Sequence, residues 1–123
     1  MLKKKLLPRD PYGSSITLLW GSRDECNTFL RGRLGKDYEG IGDACLAHTT
    51  EWTPPGKAPI HFVSIVREKS QDRFDRLGAL GHELIHVVLA ILEFRGIKFE
   101  SDNDEPIAYY FEWLFRNCAR EVW

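Results

Sequence analysis

Between Leu77 and Leu92 the chain carries only three polar residues, His82, Glu83 and His86; the rest of that stretch is aliphatic or glycine. Such a segment, with Ser70 or Asp72 available as a cap and Gly96 as a stop, specifies a long helix ending near Arg95. Being apolar on nearly every side, that helix is expected at the centre of the core. Polar groups placed there need partners. His82 and His86 are four residues apart, so on a helix both imidazoles leave one face about one turn apart. That spacing lets two ring nitrogens stand ~2.0–2.1 Å from a single zinc ion. Glu83 points roughly a quarter-turn away, within reach of a water beside the metal without ligating the metal itself. A glutamate so placed can take a proton from that water and pass it to a leaving amine. The string His82-Glu83-Leu84-Ile85-His86 is therefore an HExxH pattern in its proper context, an apolar helix. Chance meeting of these three residues is the plain alternative, and the apolar surroundings weigh against it. Gly78 and Gly81 cost about 1 kcal/mol each relative to alanine in a helix. They are expected where backbone or substrate approaches closely.

The remaining chain bounds what can surround this helix. Its 123 residues suffice for one domain over 1–123. Hydrophobic residues at 43%, with four Trp, four Tyr and seven Phe, supply a core and exclude a disordered chain. A net charge of -1 speaks against a nucleic-acid surface. Lys3 to Lys5 precede only two leucines before Pro8, too few for a secretory signal, so residues 1–12 read as a tail or irregular arm. No run is read as a membrane span. Cys26, Cys45 and Cys118 are scattered, with no CxxC pair, which fits reduced thiols in a cytoplasmic protein.

Ile16–Trp20 reads as a first strand ending at Gly21. A short amphipathic helix follows from Ser22, with Cys26, Phe29, Leu30 and Leu34 at helical spacing, and ends near Gly35. Lys36–Gly42 is a loop. Ala44–Trp52 and Ile60–Val66 read as an antiparallel strand pair about the turn Thr53–Lys57. Beyond the long helix, a polar loop from Glu100 to Asp104 leads to a last helix opening at Glu105-Pro106, where proline is at home. The order β-α-β-β-α-α predicts an α+β fold: a small mixed or antiparallel sheet packed on the buried HExxH helix.

Zinc hydrolases usually add a third protein ligand and keep one position for water. The metzincin pattern HExxHxxGxxH is excluded, because Leu89 and Leu92 occupy its glycine and third histidine positions. The thermolysin-like solution instead takes a glutamate from a following helix. Glu105 opens that helix 19 residues after His86, and Glu112, two turns on, is the fallback or a supporting partner. Asp102 and Asp104 read as capping and solvation. An extended peptide could pair along the edge of Ile60–Val66 and bring its carbonyl over the metal. Oxyanion donors could come from Tyr109, Tyr110, His48 or His61, with Tyr109 ranked first because it shares the face of Glu105.

HELIH followed by Glu105-Pro106-Ile107-Ala108 resembles the HExxH…ExxA pattern of compact gluzincin-type peptidases. It is similar to the ImmA/IrrE-type domains of phages and mobile elements. The likeness covers roughly residues 60–115; Ile85 departs from it, standing where many of those domains carry glycine. It implies a minimal zincin fold, one zinc ion on three ligands (His82, His86 and Glu105), Glu83 as base, and a substrate paired along a sheet edge. A second likeness is to peptide deformylase, since Asp43-Ala44-Cys45-Leu46-Ala47 loosely echoes the EGCLS strand whose cysteine binds metal there. The glycine-rich segment and glutamine of that family are missing. A zinc-stabilised binding or regulatory module without turnover is the non-enzymatic alternative; retention of Glu83 argues against it.

Overall fold

A computed structural model of the chain describes residues 1–8, 10, 12–102 and 104–123. Its elements are β1 (Lys3–Leu6), β2 (Ser15–Gly21), α1 (Arg23–Leu34), β3 (Ala47–Trp52), β4 (Ile60–Val66), α2 (Arg73–Phe94) and α3 (Asp104–Val122). The class is α+β as expected, with one strand more than the sequence suggested. The N-terminal arm is a strand, not a tail: β1 pairs antiparallel with β2, Lys3 opposite Trp20 and Leu6 opposite Thr17. Its lysines hid it from a hydrophobic pattern, yet lysine suits an edge strand, where charge discourages further pairing. Lys5 Nζ also ties the edge to α3, donating to the Asn117 carbonyl at 2.8 Å and to Glu121 at 3.2 Å.

The strands lie in the order β1-β2-β4-β3. β2 and β4 are parallel, and β3 runs antiparallel to β4. This overturns the expectation that Ile60–Val66 offers a free edge. β4 has a partner on each side, and six of its seven residues are buried, as expected of a strand written as a near-continuous apolar run. The edge strand beside it is β3, whose turn partner was expected but whose edge position was not.

Alternation along the strands sends side chains to two layers. Leu19, Phe62 and Val66 pack with Cys26 and Leu30 of α1, while Leu18, Val63 and Ile65 pack with α2 and α3. Both α1 and α2 begin with reciprocal capping boxes. The Ser22 hydroxyl accepts from the Glu25 amide at 3.1 Å and Glu25 accepts from the Ser22 amide at 3.0 Å. Asp72 and Asp75 repeat the arrangement at 2.8 and 3.2 Å, which satisfies amide groups that would otherwise lack partners.

α2 is not buried all round. Leu80, Leu84, Val87, Val88, Ile91 and Leu92 form its inner face, whereas Ile85 and Leu89 remain about 40% exposed beside the histidines. By length and hydropathy alone α2 could cross a membrane, contrary to the earlier reading; here its apolar face is spent on the sheet and α3. α3 packs antiparallel to α2, with the Phe111 ring near Gly81 and Ile107 beside Leu89 and Leu92. A Cβ built at Gly81 would meet that ring at an ordinary 3.9 Å, and one at Gly78 would meet nothing within 4 Å. Close approach of the protein's own chain therefore does not explain either glycine.

Candidate metal centre

Residues 82, 83 and 86 lie on consecutive turns of α2, so the helix itself sets their geometry. His82 and His86 are both exposed, with Nε2 atoms 3.3 Å apart and rings meeting edge-on at 72°. Two ligands about 2.0–2.1 Å from a tetrahedral zinc ion stand roughly 3.3–3.4 Å from one another. The observed separation is thus the length of one edge of such a tetrahedron. Two neutral imidazoles can also share a weak N–H···N contact at this distance, but both would then leave water for a marginal gain.

Glu83 turns the other way, toward the sheet, and is half-buried. Its Oε2 accepts a 2.7 Å hydrogen bond from the Thr49 hydroxyl of β3. Thr49, missed in the sequence, thus orients the carboxylate that the motif reserves for a base. No one-dimensional signal marks it, because its role depends on β3 lying beside α2. Between β3 and α2 opens a cleft of about 380 Å³, lined by Thr49, Glu51, His61, Glu83, His86 and Ala90. His48 reaches its rim.

His61 forms part of the cleft floor and is only 3% exposed. Burial lowers its pKa from the ordinary imidazole value, against the upward pull of Glu51 and Asp10. The ring is therefore neutral near pH 7. Its Nδ1 is buried without a hydrogen-bond partner.

The other expected site residues lie elsewhere. Tyr109, ranked first as oxyanion donor, is 67% exposed and borders a separate groove with Tyr12, Pro106, Tyr110 and Trp113. Tyr110 is buried, and its hydroxyl donates to Asp10. Glu105 is exposed in the first turn of α3. Glu112 is exposed too, paired with Arg116 at 2.9 Å one turn on. Cys45 lies in the turn before β3, its amide bonded to the Gly42 carbonyl at 3.1 Å, so the deformylase-like strand does not extend to it. Among the described residues no three His, Cys, Asp or Glu side chains stand close enough together to hold a metal. The donor pair fits a zinc ion in spacing and chemistry, and the third ligand is not brought to it.

Comparison with known proteins finds no matching family model, no matching curated protein and no matching solved structure.

Proposed function

We infer that the chain is a zinc-dependent hydrolase, a cytoplasmic metallopeptidase of minimal gluzincin type. The observation that carries this reading is the 3.3 Å separation of the His82 and His86 Nε2 atoms, on the same helix that presents Glu83 to an open cleft. His82 and His86 would hold one zinc ion, with Glu105 as third ligand. Glu105 is named on the HExxH…ExxA likeness; α3 packs antiparallel on α2 with Ile107 beside Leu89 and Leu92, so its first turn has to approach the histidines to complete the set. When bound, the ion supplies Lewis acidity and lowers the pKa of water at the site. Glu83 then acts as the proton carrier: its carboxylate, held by Thr49, removes a proton from the attacking water and returns it to the leaving amine. The wall opposite α2 is β3, an edge strand, and an extended peptide added there would lie alongside Glu83. This replaces β4 as the docking strand. The buried, unbridged Cys26 and Cys118 support a reducing compartment.

The test combines metal analysis with turnover. Zinc-loaded protein is expected to cleave a diverse peptide library in a chelator-sensitive manner. Glu83→Gln should keep its zinc and lose roughly 10²–10⁴-fold in rate, the usual share of general acid–base catalysis. Glu105→Ala should lose zinc where Glu112→Ala does not. Full activity in Glu83→Gln, or no cleavage by zinc-loaded wild type, would sink the peptidase reading; zinc loss on Cys45→Ser alone would favour the deformylase-like one.

A further inference from the structure

We propose that the cleft between β3 and α2 binds a positively charged N–H group of a peptide, either an α-ammonium or a basic side chain, against Glu51 and above His61. The proposal names a substrate class for the site read above as a peptidase, and to that extent rests on that reading.

Three observations carry it. Glu51 and Glu83 place two carboxylates in one cleft, and among the described residues no Lys or Arg lines it. Glu83 is engaged by Thr49, whereas Glu51 is exposed and has no ion-pair partner among the described residues. Second, β3 pairs Glu51 directly with His61 of β4, so an acidic wall stands over an imidazole floor. That imidazole stays uncharged for the reason given above and adds no positive charge directly opposite Glu51. Third, the Nδ1 of His61 is buried and lacks a partner, a state that costs free energy until a ligand or water relieves it. In the Nε2–H tautomer Nδ1 carries a lone pair, an acceptor like the Glu51 carboxylate, and the ligand the two suit in common is a donor bearing positive charge.

Position follows from the strand. Glu51 lies two residues beyond Thr49 on β3, about 7 Å along it. A peptide extended beside β3, with its reacting carbonyl near Glu83, would thus present the cation about two residues from the bond that breaks.

Binding and cleavage separate the outcomes. Three probes are titrated into full-length protein at 50 and 500 mM NaCl: N-acetyl-arginine amide, free glycyl-glycine amide, and N-acetyl-norleucine amide as uncharged control. His61 and Glu51 resonances report occupancy. At least one cationic probe should bind tenfold or more tightly than the control, weaken at high salt, and lose about tenfold in Glu51→Gln, an exposed position where the fold should survive. Preference for the arginine probe assigns a basic side chain; preference for the free amine assigns an N-terminus. Equal binding of the control, or unchanged binding by Glu51→Gln, overturns the proposal. Cation binding without cleavage would remove the peptidase reading alone. Cleavage without charge preference would remove this proposal alone.

Discussion

Thr49 and Glu83 form the contact on which the proposed chemistry leans most directly. A hydrogen bond to a charged acceptor contributes about 1.5–3 kcal/mol, and a base out of line loses rate before it loses binding. Thr49→Val, which keeps the shape and removes the hydroxyl, should lower kcat roughly tenfold with KM and zinc content little changed, each 1.4 kcal/mol being a factor of ten. Thr49→Ser should restore most of the loss. If Val and Ser behave alike, the hydroxyl has no positioning role.

His61 permits a second expectation at this scale. Its folded pKa lies below the unfolded value, so the unfolded chain binds the extra proton first. The contribution to stability is therefore intact above the ordinary imidazole pKa of about 6.5 and declines as pH falls from there toward the lowered folded value. Urea midpoints compared at pH 7.5 and 5 should fall less in His61→Gln than in wild type. Equal falls would show that other groups set the acid limb.

At the scale of elements, Gly78 offers the plainest measurement. It sits inside α2, exposed, with open space around the missing Cβ. Gly78→Ala should stabilise the protein by about 0.5–1 kcal/mol, seen as a higher denaturant midpoint with zinc binding unchanged. A destabilised variant would mean the glycine serves a contact that forms only with ligand. The same helix shows what a sequence can tell. His82, Glu83 and His86 were legible because helical spacing alone fixes their geometry. The inner face was legible too, through Leu80, Leu84, Val87 and Ile91. What stayed hidden was lateral: which strand lies beside Glu83, and that β4 has neighbours on both sides. Strand order arises from long-range pairing, and no local pattern in Ile60–Val66 distinguishes a central strand from an edge strand packed on both faces. β1 was hidden for a different reason, since three lysines erase the alternation that marks a half-buried strand.

At the scale of the molecule, the N-terminal segment is fastened to the last helix through Asp10. This buried carboxylate accepts the amides of Tyr12 and Ser14 at 2.9 and 3.1 Å and the hydroxyl of Tyr110. Burial and that bond to Asp10 push the phenol pKa upward. β1 adds the Lys5 link to Glu121, so the first strand and the last helix hold one another directly. Asp10→Ala would strand the Tyr110 hydroxyl and two amides, and an unmet buried group costs about 1–3 kcal/mol. Thiol chemistry reads the consequence without any assay of function. Cys26 and Cys118 are fully buried, and burial raises their pKa values to about 11 and about 12, whereas Cys45 is exposed. Native wild type should therefore give one fast equivalent with a thiol reagent at pH 8, and three after denaturation. Because Cys118 lies on α3, two turns beyond Tyr110, Asp10→Ala should open it to the reagent sooner than Cys26, whose cluster lies across the sheet under α1. Simultaneous exposure of both thiols would instead mean that the two layers open together, and that Asp10 stabilises the whole fold and not one fastening.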